Sequence, residues 1–282
     1  MYLTVSKREI NAITERHSGN KAFLGALARA GKSPSDLTYL MAQYVQFNSV
    51  FGAGVAGLAG QIAARQNIFR DRSESIPVLA DRSCDVAAEI YFAAIDEFAR
   101  KKTHRAMARE TLKKVVEFFK LTPAEARLYC SSSGETSAAV RAVTHGYCLN
   151  RETSEADLLL GIGFHIGSEL LADQEFNILD RYLKQEHPTL VTFLQEARAY
   201  SWVAVHTTVE AEHRDAAIES ANSALGLYAG DVSKAHGLIM KGLKHFAEVQ
   251  ARFMHSLSAI GCGDEAEADA FGIQTQATSC SS

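Results

Sequence analysis

The order of apolar and polar residues along the chain indicates helices and gives no series of strands. Strict alternation of apolar and polar positions, which is typical of a half-buried strand, does not recur over any convincing length. In the stretch 154–183, by contrast, Leu159, Ile162, Ile166 and Leu170 follow the spacing of one helix face. The long stretches between the four prolines are rich in Ala, Leu, Glu, Lys and Arg, which favour helix. We therefore expect an all-α protein.

Three helix starts are marked by capping residues. Ser33 precedes Pro34, Thr122 precedes Pro123, and Ser154 begins the sequence SEAD. A hydroxyl at the cap accepts from a free amide of the first turn, and proline suits the first helical position. Together with the composition, these signals predict helices over 5–16, 20–30, 35–66, 78–119, 123–130, 135–147, 154–183, 188–224 and 230–260, with a break inside 35–66 around Gly52 to Gly60 and a long loop over 67–78.

The length and the absence of repeats predict one bundle. A chain of 282 residues suits one large domain or two small ones, and it is ample for a sizeable core. No internal repeat is visible, so we expect the helices to pack together as one unit. From Gly261 onward the residues are polar and small. Such a segment buries little apolar surface, and we expect residues 261–282 to form a flexible C-terminal tail.

Composition and charge exclude several classes of protein. The chain is 47% hydrophobic and 22% charged, which is typical of a soluble globular protein. Its net charge of −4 argues against a nucleic-acid binder that depends on positive charge. No apolar run approaches the roughly 18 to 20 residues of a membrane helix, and the N-terminus has no apolar signal core. We therefore expect a cytoplasmic protein with neither a nucleic acid nor a membrane as partner.

The five cysteines are widely spaced and include no CxxC motif. An odd number of cysteines in a long chain argues against a disulfide framework. We expect Cys84, Cys130 and Cys148 to be buried free thiols.

The most distinctive polar motif is HTTVEAEH at residues 206–213. It places His206, Glu210 and His213 at offsets of four and three, so a helix would carry all three on one face. Two imidazoles and a carboxylate on one face form either a hydrated surface patch or part of a metal site.

Other helices offer candidates for the remaining ligands. Glu97 and His104 are seven residues apart, which is two turns of a continuous helix. Glu169 follows the apolar spacing of its own helix, and a carboxylate on a buried face needs a partner such as a metal ion. Carboxylates and imidazoles without thiolate suit iron or manganese better than zinc. A ferritin-like bundle would need two Glu-x-x-His motifs, and only Glu210 with His213 forms one.

The three motifs EFARKKTH, GFHIGSE and HTTVEAEH resemble those of the haem-oxygenase-like dimetal oxidases and oxygenases, near the subgroup of the chlamydial death-domain-associated protein. Residues 21–47 are similar to the opening helices of that family. The resemblance implies a single haem-oxygenase-like (TENA/PqqC-like) bundle of about seven core helices over residues 1–260. It also implies that two iron ions, or manganese, bind to Glu97, His104, Glu169, His206, Glu210 and His213.

Two features depart from the pattern of the family. Glu210 stands where many members have aspartate. The spacing between the second and third motifs is a few residues longer than in the subgroup. Glu175 is therefore an alternative to Glu169 as the ligand, and Asp173 and His165 are weaker substitutes.

The resemblance implies an enzyme that uses O₂ as co-substrate. The expected reaction is N-oxygenation or oxidative C–C cleavage of a small amine, an amino-acid-like or a fatty-acid-like substrate, in specialised metabolism. An external electron donor and a homodimer are compatible with it. Tyr44, Phe47, Tyr91 and Trp202 are candidates for the lining of the substrate cavity, although each is also an ordinary core residue.

Two functions of other classes stay open. A metal-free TENA-type hydrolase of a thiamine-related pyrimidine would need a cysteine nucleophile, for which Cys148 and Cys130 are the candidates. A non-catalytic helical partner protein would have no use for six aligned N and O ligands. If metal does bind, we expect it to order the segment 200–215, because Thr207, Thr208 and Val209 are modest helix formers.

Overall fold

Helices make up nearly all the regular structure of the chain. The computed structural model describes residues 3–98 and 102–258, apart from the side chain of Glu210. No strand occurs in these ranges, and the prediction of an all-α protein is confirmed. The helices are α1 (Lys7–His17), α2 (Asn20–Ala30), α3 (Pro34–Phe47), α4 (Phe51–Ala63), α5 (Pro77–Ala80), α6 (Ser83–Phe98), α7 (His104–Phe118), α8 (Pro123–Tyr129), α9 (Gly134–Gly146), α10 (Glu155–Glu186), α11 (Pro188–Glu196), α12 (Ser201–Leu227) and α13 (Val232–Leu257).

The three predicted helix caps are confirmed. Ser33, Thr122 and Ser154 each accept, through the side-chain hydroxyl, from the backbone amide three residues further on. At Thr122 and Ser154 the acidic residue in that third position also accepts from the amide of the cap, which completes a capping box. Local sequence therefore fixes where α3, α8 and α10 begin.

The predicted helix 35–66 is broken, but not at its glycines. Residues Gly52 to Gly60 lie inside the continuous helix α4, and the chain turns instead through a 3₁₀ helix at Asn48–Val50. There the side-chain amide of Asn48 donates to the carbonyl oxygen of Tyr44. A side chain that bonds to the nearby backbone competes with the helical pattern, which accounts for the turn.

Two other predicted helices are divided, so their predicted continuity is wrong. The span 78–119 contains α5, α6 and α7, because Asp81 accepts from both the amide and the hydroxyl of Ser83 between α5 and α6. Thr103 caps the start of α7. The span 188–224 divides at Arg198, whose φ of 55° is left-handed and cannot continue a right-handed helix.

At the C-terminal end, α13 stops at Leu257, slightly before the predicted end at residue 260. The predicted tail, 261–282, lies outside the described residues. None of the helices in the described ranges combines the length and the apolar character that crossing a membrane requires.

The longest helix, α10, is the centre of the bundle and packs against α12 and α13. Its approach to α13 is close enough to require glycine. A Cβ at Gly163 would lie 1.7 Å from the carbonyl oxygen of Ile239, and one at Gly242 would lie 1.9 Å from that of Leu160. The two backbones therefore touch at these positions, and the face of α10 that carries Glu169 is held in place.

Candidate metal centre

Glu97, His104 and His206 come together between the end of α6, the start of α7 and the first half of α12. One ligand atom from each lies within 4.8 Å of the other two, so the cluster could hold a metal ion. Oε1 of Glu97 is 3.0 Å from Nδ1 of His104 and 3.8 Å from Nε2 of His206. Both histidines are buried and Glu97 is half-buried. The site therefore has few competing contacts with bulk water.

Each side chain of the cluster is positioned by a local feature. Glu97 packs on Gly52 of α4, where an added Cβ would lie 3.0 Å from the Cβ of Glu97. His104 is the first residue of α7, directly after the cap Thr103. The two residues therefore meet across the end of one helix and the start of the next, not along one continuous helix as the spacing predicted.

His206 is oriented from two sides. Its Nδ1–H donates to the carbonyl oxygen of Trp202 at 2.6 Å, so Nε2 is the ring nitrogen that faces Glu97. Its ring also stacks on Phe176, with ring centroids 4.0 Å apart and 16° between the planes. A fixed tautomer and a fixed ring plane are what a histidine ligand of a metal requires.

The charge of Glu97 suits a ligand. Burial alone would raise the pKa of its carboxyl group, but hydrogen bonds and electrostatic attraction from His104 and His206 outweigh that effect and lower the pKa to about 2. Glu97 is therefore ionised at neutral pH, in the form that binds metal.

A second polar group lies along α10 and α12. Nδ1 of His213 is 3.6 Å from Oε2 of Glu169, and Nδ1 of His165 is 3.3 Å from Oε1 of the same carboxylate. On its other side, Nε2 of His213 is 3.0 Å from Oδ2 of Asp96. Glu169 thus sits between two imidazoles, and the structure brings two of the other predicted ligands, Glu169 and His213, together. Glu210 belongs to α12, but its side chain lies outside the described residues.

The alternative carboxylates are engaged elsewhere. Glu175 is buried and accepts from the hydroxyl of Tyr44 at 2.9 Å and from the amide of Gln250 at 2.9 Å. Asp173 forms an ion pair with Arg214 at 3.0 Å. Of the candidates for the third carboxylate, Glu169 is the one in contact with His213.

Glu97, His104, His206 and Glu169 line a pocket that reaches both groups, and its cavity volume is about 30 Å³. Among the predicted substrate-binding residues, Phe47 and Trp202 line it. Tyr44 lies one layer behind, packed against Trp202 with ring centroids 5.8 Å apart. Tyr91 is 45% exposed on α6 and does not belong to the described lining of this pocket.

Sequence reasoning missed three residues of the site. Asp96 was hidden by its neighbour Glu97, since adjacent helical residues point in different directions and only one was expected to face inward. Phe176 and Arg105 also line the pocket. The signal for Arg105 was its position next to His104, but a lone arginine near a helix start is usually a solvated residue.

The three cysteines of the described ranges, Cys84, Cys130 and Cys148, do not line the pocket. Cys148 is buried as predicted, whereas Cys84 is exposed and Cys130 only partly buried, so the prediction fails for these two. Burial raises the pKa of the Cys148 thiol, and burial likewise raises that of Cys130. A thiol that stays protonated is a poor nucleophile. Neither cysteine belongs to the described lining of the pocket that holds the histidines.

No family model matches this sequence, and no curated protein matches it.

Proposed function

We propose that the protein is a non-haem di-iron oxidase or oxygenase with the haem-oxygenase-like fold, which uses O₂ to oxidise a small amine, amino-acid-like or fatty-acid-like substrate. The observation that carries the proposal is the buried cluster of Glu97, His104 and His206 at the base of a pocket. Burying a carboxylate and two imidazoles together is costly even when they bond to one another, and a bound metal ion would offset that cost.

The donor atoms fit one metal ion at this cluster. Two N or O ligands, each about 2.1 Å from one ion, lie roughly 3 to 3.5 Å apart. The separations of 3.0 Å and 3.8 Å from Glu97 to the two imidazoles are close to that range. An N/O set without sulfur, and with ionised carboxylate, suits iron or manganese.

The second ion of the proposal would be held by Glu169 and His213, with Glu210 from the same face of α12. His213 and Glu169 already approach within 3.6 Å. His165 and Asp96 would then act as neighbours that fix these two ligands, since each contacts one of them. When bound, ferrous ions would supply electrons to O₂.

The rest of the pocket is suited to an oxidation that excludes bulk water. Phe47, Phe51, Phe176 and Phe246 form apolar walls beside the carboxylates and imidazoles. Apolar walls with a few convergent polar groups are typical of small-molecule sites. Asn48, Ser49 and Ser168 are the neutral polar residues of the described lining.

The proposal predicts that the protein retains about two iron ions per chain after anaerobic loading with Fe(II), measured by elemental analysis after desalting. His206→Ala should remove the ion of the first cluster and His213→Ala that of the second, so each should fall to about one ion per chain. Glu97→Gln keeps the shape of the side chain and removes the charge, and should behave like His206→Ala.

The matched control is His255→Ala, which removes an exposed imidazole from the outer face of α13. It should retain as much iron as the unaltered chain. A protein that retains neither iron nor manganese above the level of the double variant His206→Ala/His213→Ala would disprove the metal centre. If the unaltered protein retains one ion, and only the His206 variant loses it, the proposal of two metal ions is disproved while a single-metal centre stands.

A further inference from the structure

The outer face of α6 is a stripe of apolar side chains. It consists of Cys84, Ala88, Tyr91, Phe92, Ile95 and Phe98, and we call it the α6 stripe. Steps of three and four residues link these positions, so they share one side of the helix over about 21 Å. All six residues are exposed, and the four large side chains each expose between 41% and 55% of their surface. None of the six carries a charge.

The α6 stripe is not the face by which this helix joins the bundle. Val86, Ile90, Ala93 and Ala94 are buried on the opposite side. The carboxylates of the helix are engaged with other parts of the chain, through the contacts of Asp85 with Arg82, Glu89 with Ser223, Asp96 with His213 and Glu97 with His104. The stripe is therefore the part of α6 that the described residues leave open to solvent.

The segment 76–98 exposes more apolar surface than an ordinary monomer does. It holds seven of the ten large hydrophobic side chains that are exposed in the described ranges, namely the four of the stripe and Ile76, Val78 and Leu79 just before α6. A large side chain presents about 200 Å² when free, so seven side chains that are about half exposed present roughly 700 Å². The largest apolar patch of a typical monomer measures about 300 to 600 Å², whereas each partner of a stable complex buries about 800 Å². The area is close to what a dimer of this chain needs.

The α6 stripe is complementary to itself when two helices run antiparallel. Its first half is small, with Cys84 and Ala88, and its second half is large, with Ile95 and Phe98. An antiparallel pair centred near Tyr91 sets the large half of each stripe over the small half of the other, whereas a parallel pair would set large against large. Two-fold interfaces use the same patch on both copies, and facing positions that combine large with small residues pack without voids. The shape therefore favours the antiparallel pair.

The charges beyond the two ends of the stripe favour the same arrangement. At the N-terminal end, Arg82 pairs with both Asp71 and Asp85, so negative charge is in excess there. At the C-terminal end, residues 100–102 are Arg, Lys and Lys, and Glu110 pairs with the last of them. An antiparallel pair brings each acidic end beside the basic end of the other copy, whereas a parallel pair brings like charges together.

From this size, shape and charge we infer that the α6 stripe binds a second copy of this chain, with the two α6 helices antiparallel about a two-fold axis near Tyr91. The interface would reach the candidate metal centre. The ring of Phe92 packs edge-on against that of His213 with centroids 5.8 Å apart, and Asp96 contacts the same imidazole. A second copy would therefore shield the outer side of His213. The inference does not depend on which metal or substrate the protein binds.

Sedimentation equilibrium of the full-length, metal-free protein under reducing conditions tests the interface. At micromolar concentration the unaltered protein should have twice the 30.7 kDa mass of one chain. Ile95→Arg places a charge within the stripe and leaves the core intact, because Ile95 is exposed. It should weaken association about 100-fold or more, since an unpaired charge would be buried at the contact.

Leu128→Arg is the matched control. Leu128 is a large hydrophobic residue exposed on α8, outside the stripe, so this variant gains the same charge and should stay dimeric. A monomeric unaltered protein would overturn the inference and would indicate that something other than a second copy covers the stripe. A dimer that Ile95→Arg leaves intact would also overturn it, because another surface would then hold the copies together.

A disulfide tests the antiparallel direction. In that arrangement Phe98 lies over Cys84 of the second copy, while the two copies of Phe98 are about 21 Å apart. Phe98→Cys should therefore give a disulfide-linked dimer on a non-reducing gel after mild oxidation, and Phe98→Cys/Cys84→Ser should not. The other cysteines are the same in both variants and provide the background. A cross-link that survives Cys84→Ser would overturn the antiparallel arrangement, as would its absence in a Phe98→Cys protein that still sediments as a dimer.

Discussion

Individual residues of the centre are fixed by contacts that are not themselves ligands. The carbonyl oxygen of Trp202 selects the tautomer of His206, and Phe176 fixes its ring plane. On the edge of the His213 ring that faces away from Glu169, Asp96 contacts Nε2 and so selects the tautomer of this histidine. In the proposed centre, such outer contacts would set the geometry before an ion arrived and would lower the cost of ordering its ligands.

Also at the scale of single residues, Asp157 stabilises the N-terminus of α10 to an extent that depends on pH. Hydrogen bonds from the side chain and then the amide of Ser154, with a smaller contribution from Arg151, lower the pKa of Asp157 from 3.8 to about 2. Because the folded pKa lies below that of the unfolded chain, this stabilisation is complete above about pH 4 and is lost as the pH falls through 2.

Asp157→Ala should therefore lower the free energy of unfolding by about 1 kcal/mol at pH 7, as expected for the loss of a capping interaction. The difference from the unaltered chain should stay constant between pH 7 and pH 5 and shrink by pH 3. Urea denaturation at each pH measures it. A difference of the same size at pH 3 as at pH 7 would show that the carboxylate charge is not responsible.

At the scale of helices, the contact between α10 and α13 predicts a strong effect of a single methyl group. Gly163→Ala places a Cβ against a backbone oxygen that no side-chain rotation can move away. We expect the variant to be about 3 kcal/mol less stable, because the two helices must separate. Gly242→Ala should behave similarly.

Gly237 is the matched control for this prediction. It lies on the exposed side of α13, and an added Cβ there meets nothing within 4 Å. Gly237→Ala should be neutral or stabilise the protein by up to about 1 kcal/mol, because alanine favours helix more than glycine does. Thermal or chemical denaturation compares the three variants. Equal stability of Gly163→Ala and Gly237→Ala would contradict the close packing.

Helix α12 carries ligands of both proposed ions. It is continuous from Ser201 to Leu227. The expected effect of metal on residues 200–215, where Thr207, Thr208 and Val209 favour helix only modestly, is therefore an increase in local stability. Addition of Fe(II) without oxygen should increase the hydrogen-exchange protection of residues 200–215, with little change in α3. His206→Ala should weaken this response. If protection of 200–215 is the same with and without Fe(II), the site is fully formed before the metal binds.

For the whole molecule, the sequence was a good guide to class and a poor guide to boundaries. The helical composition and three capping motifs predicted the all-α fold and the starts of α3, α8 and α10. The breaks at Asn48 and Arg198 could not be predicted, because they depend on one side-chain hydrogen bond and one left-handed residue. Neither feature leaves a glycine or proline in the sequence as a signal.

The site was predictable where polar residues stand out against apolar neighbours, as Glu169 does in α10. It was not predictable where a helix is apolar on both sides. In α6, Ile90 is fully buried while Tyr91 and Ile95 are exposed, so periodicity alone could not tell which face meets the pocket. The pattern of α6 therefore identifies neither the exposure of Tyr91 nor the contact of Asp96 with His213.

The meeting of Glu97 and His104 with His206 also has a topological consequence. An ion held by these three residues would close a loop of about 100 residues, from the end of α6 through α10 to α12. In the chain-entropy account of cross-links, closing a loop of that length restricts the unfolded chain by about 4.7 kcal/mol. The unfolded chain would therefore hold the ion far less well than the bundle does. A metal here would act as a reversible cross-link between distant parts of the sequence. It would form when the whole fold assembles and would be lost when the fold opens.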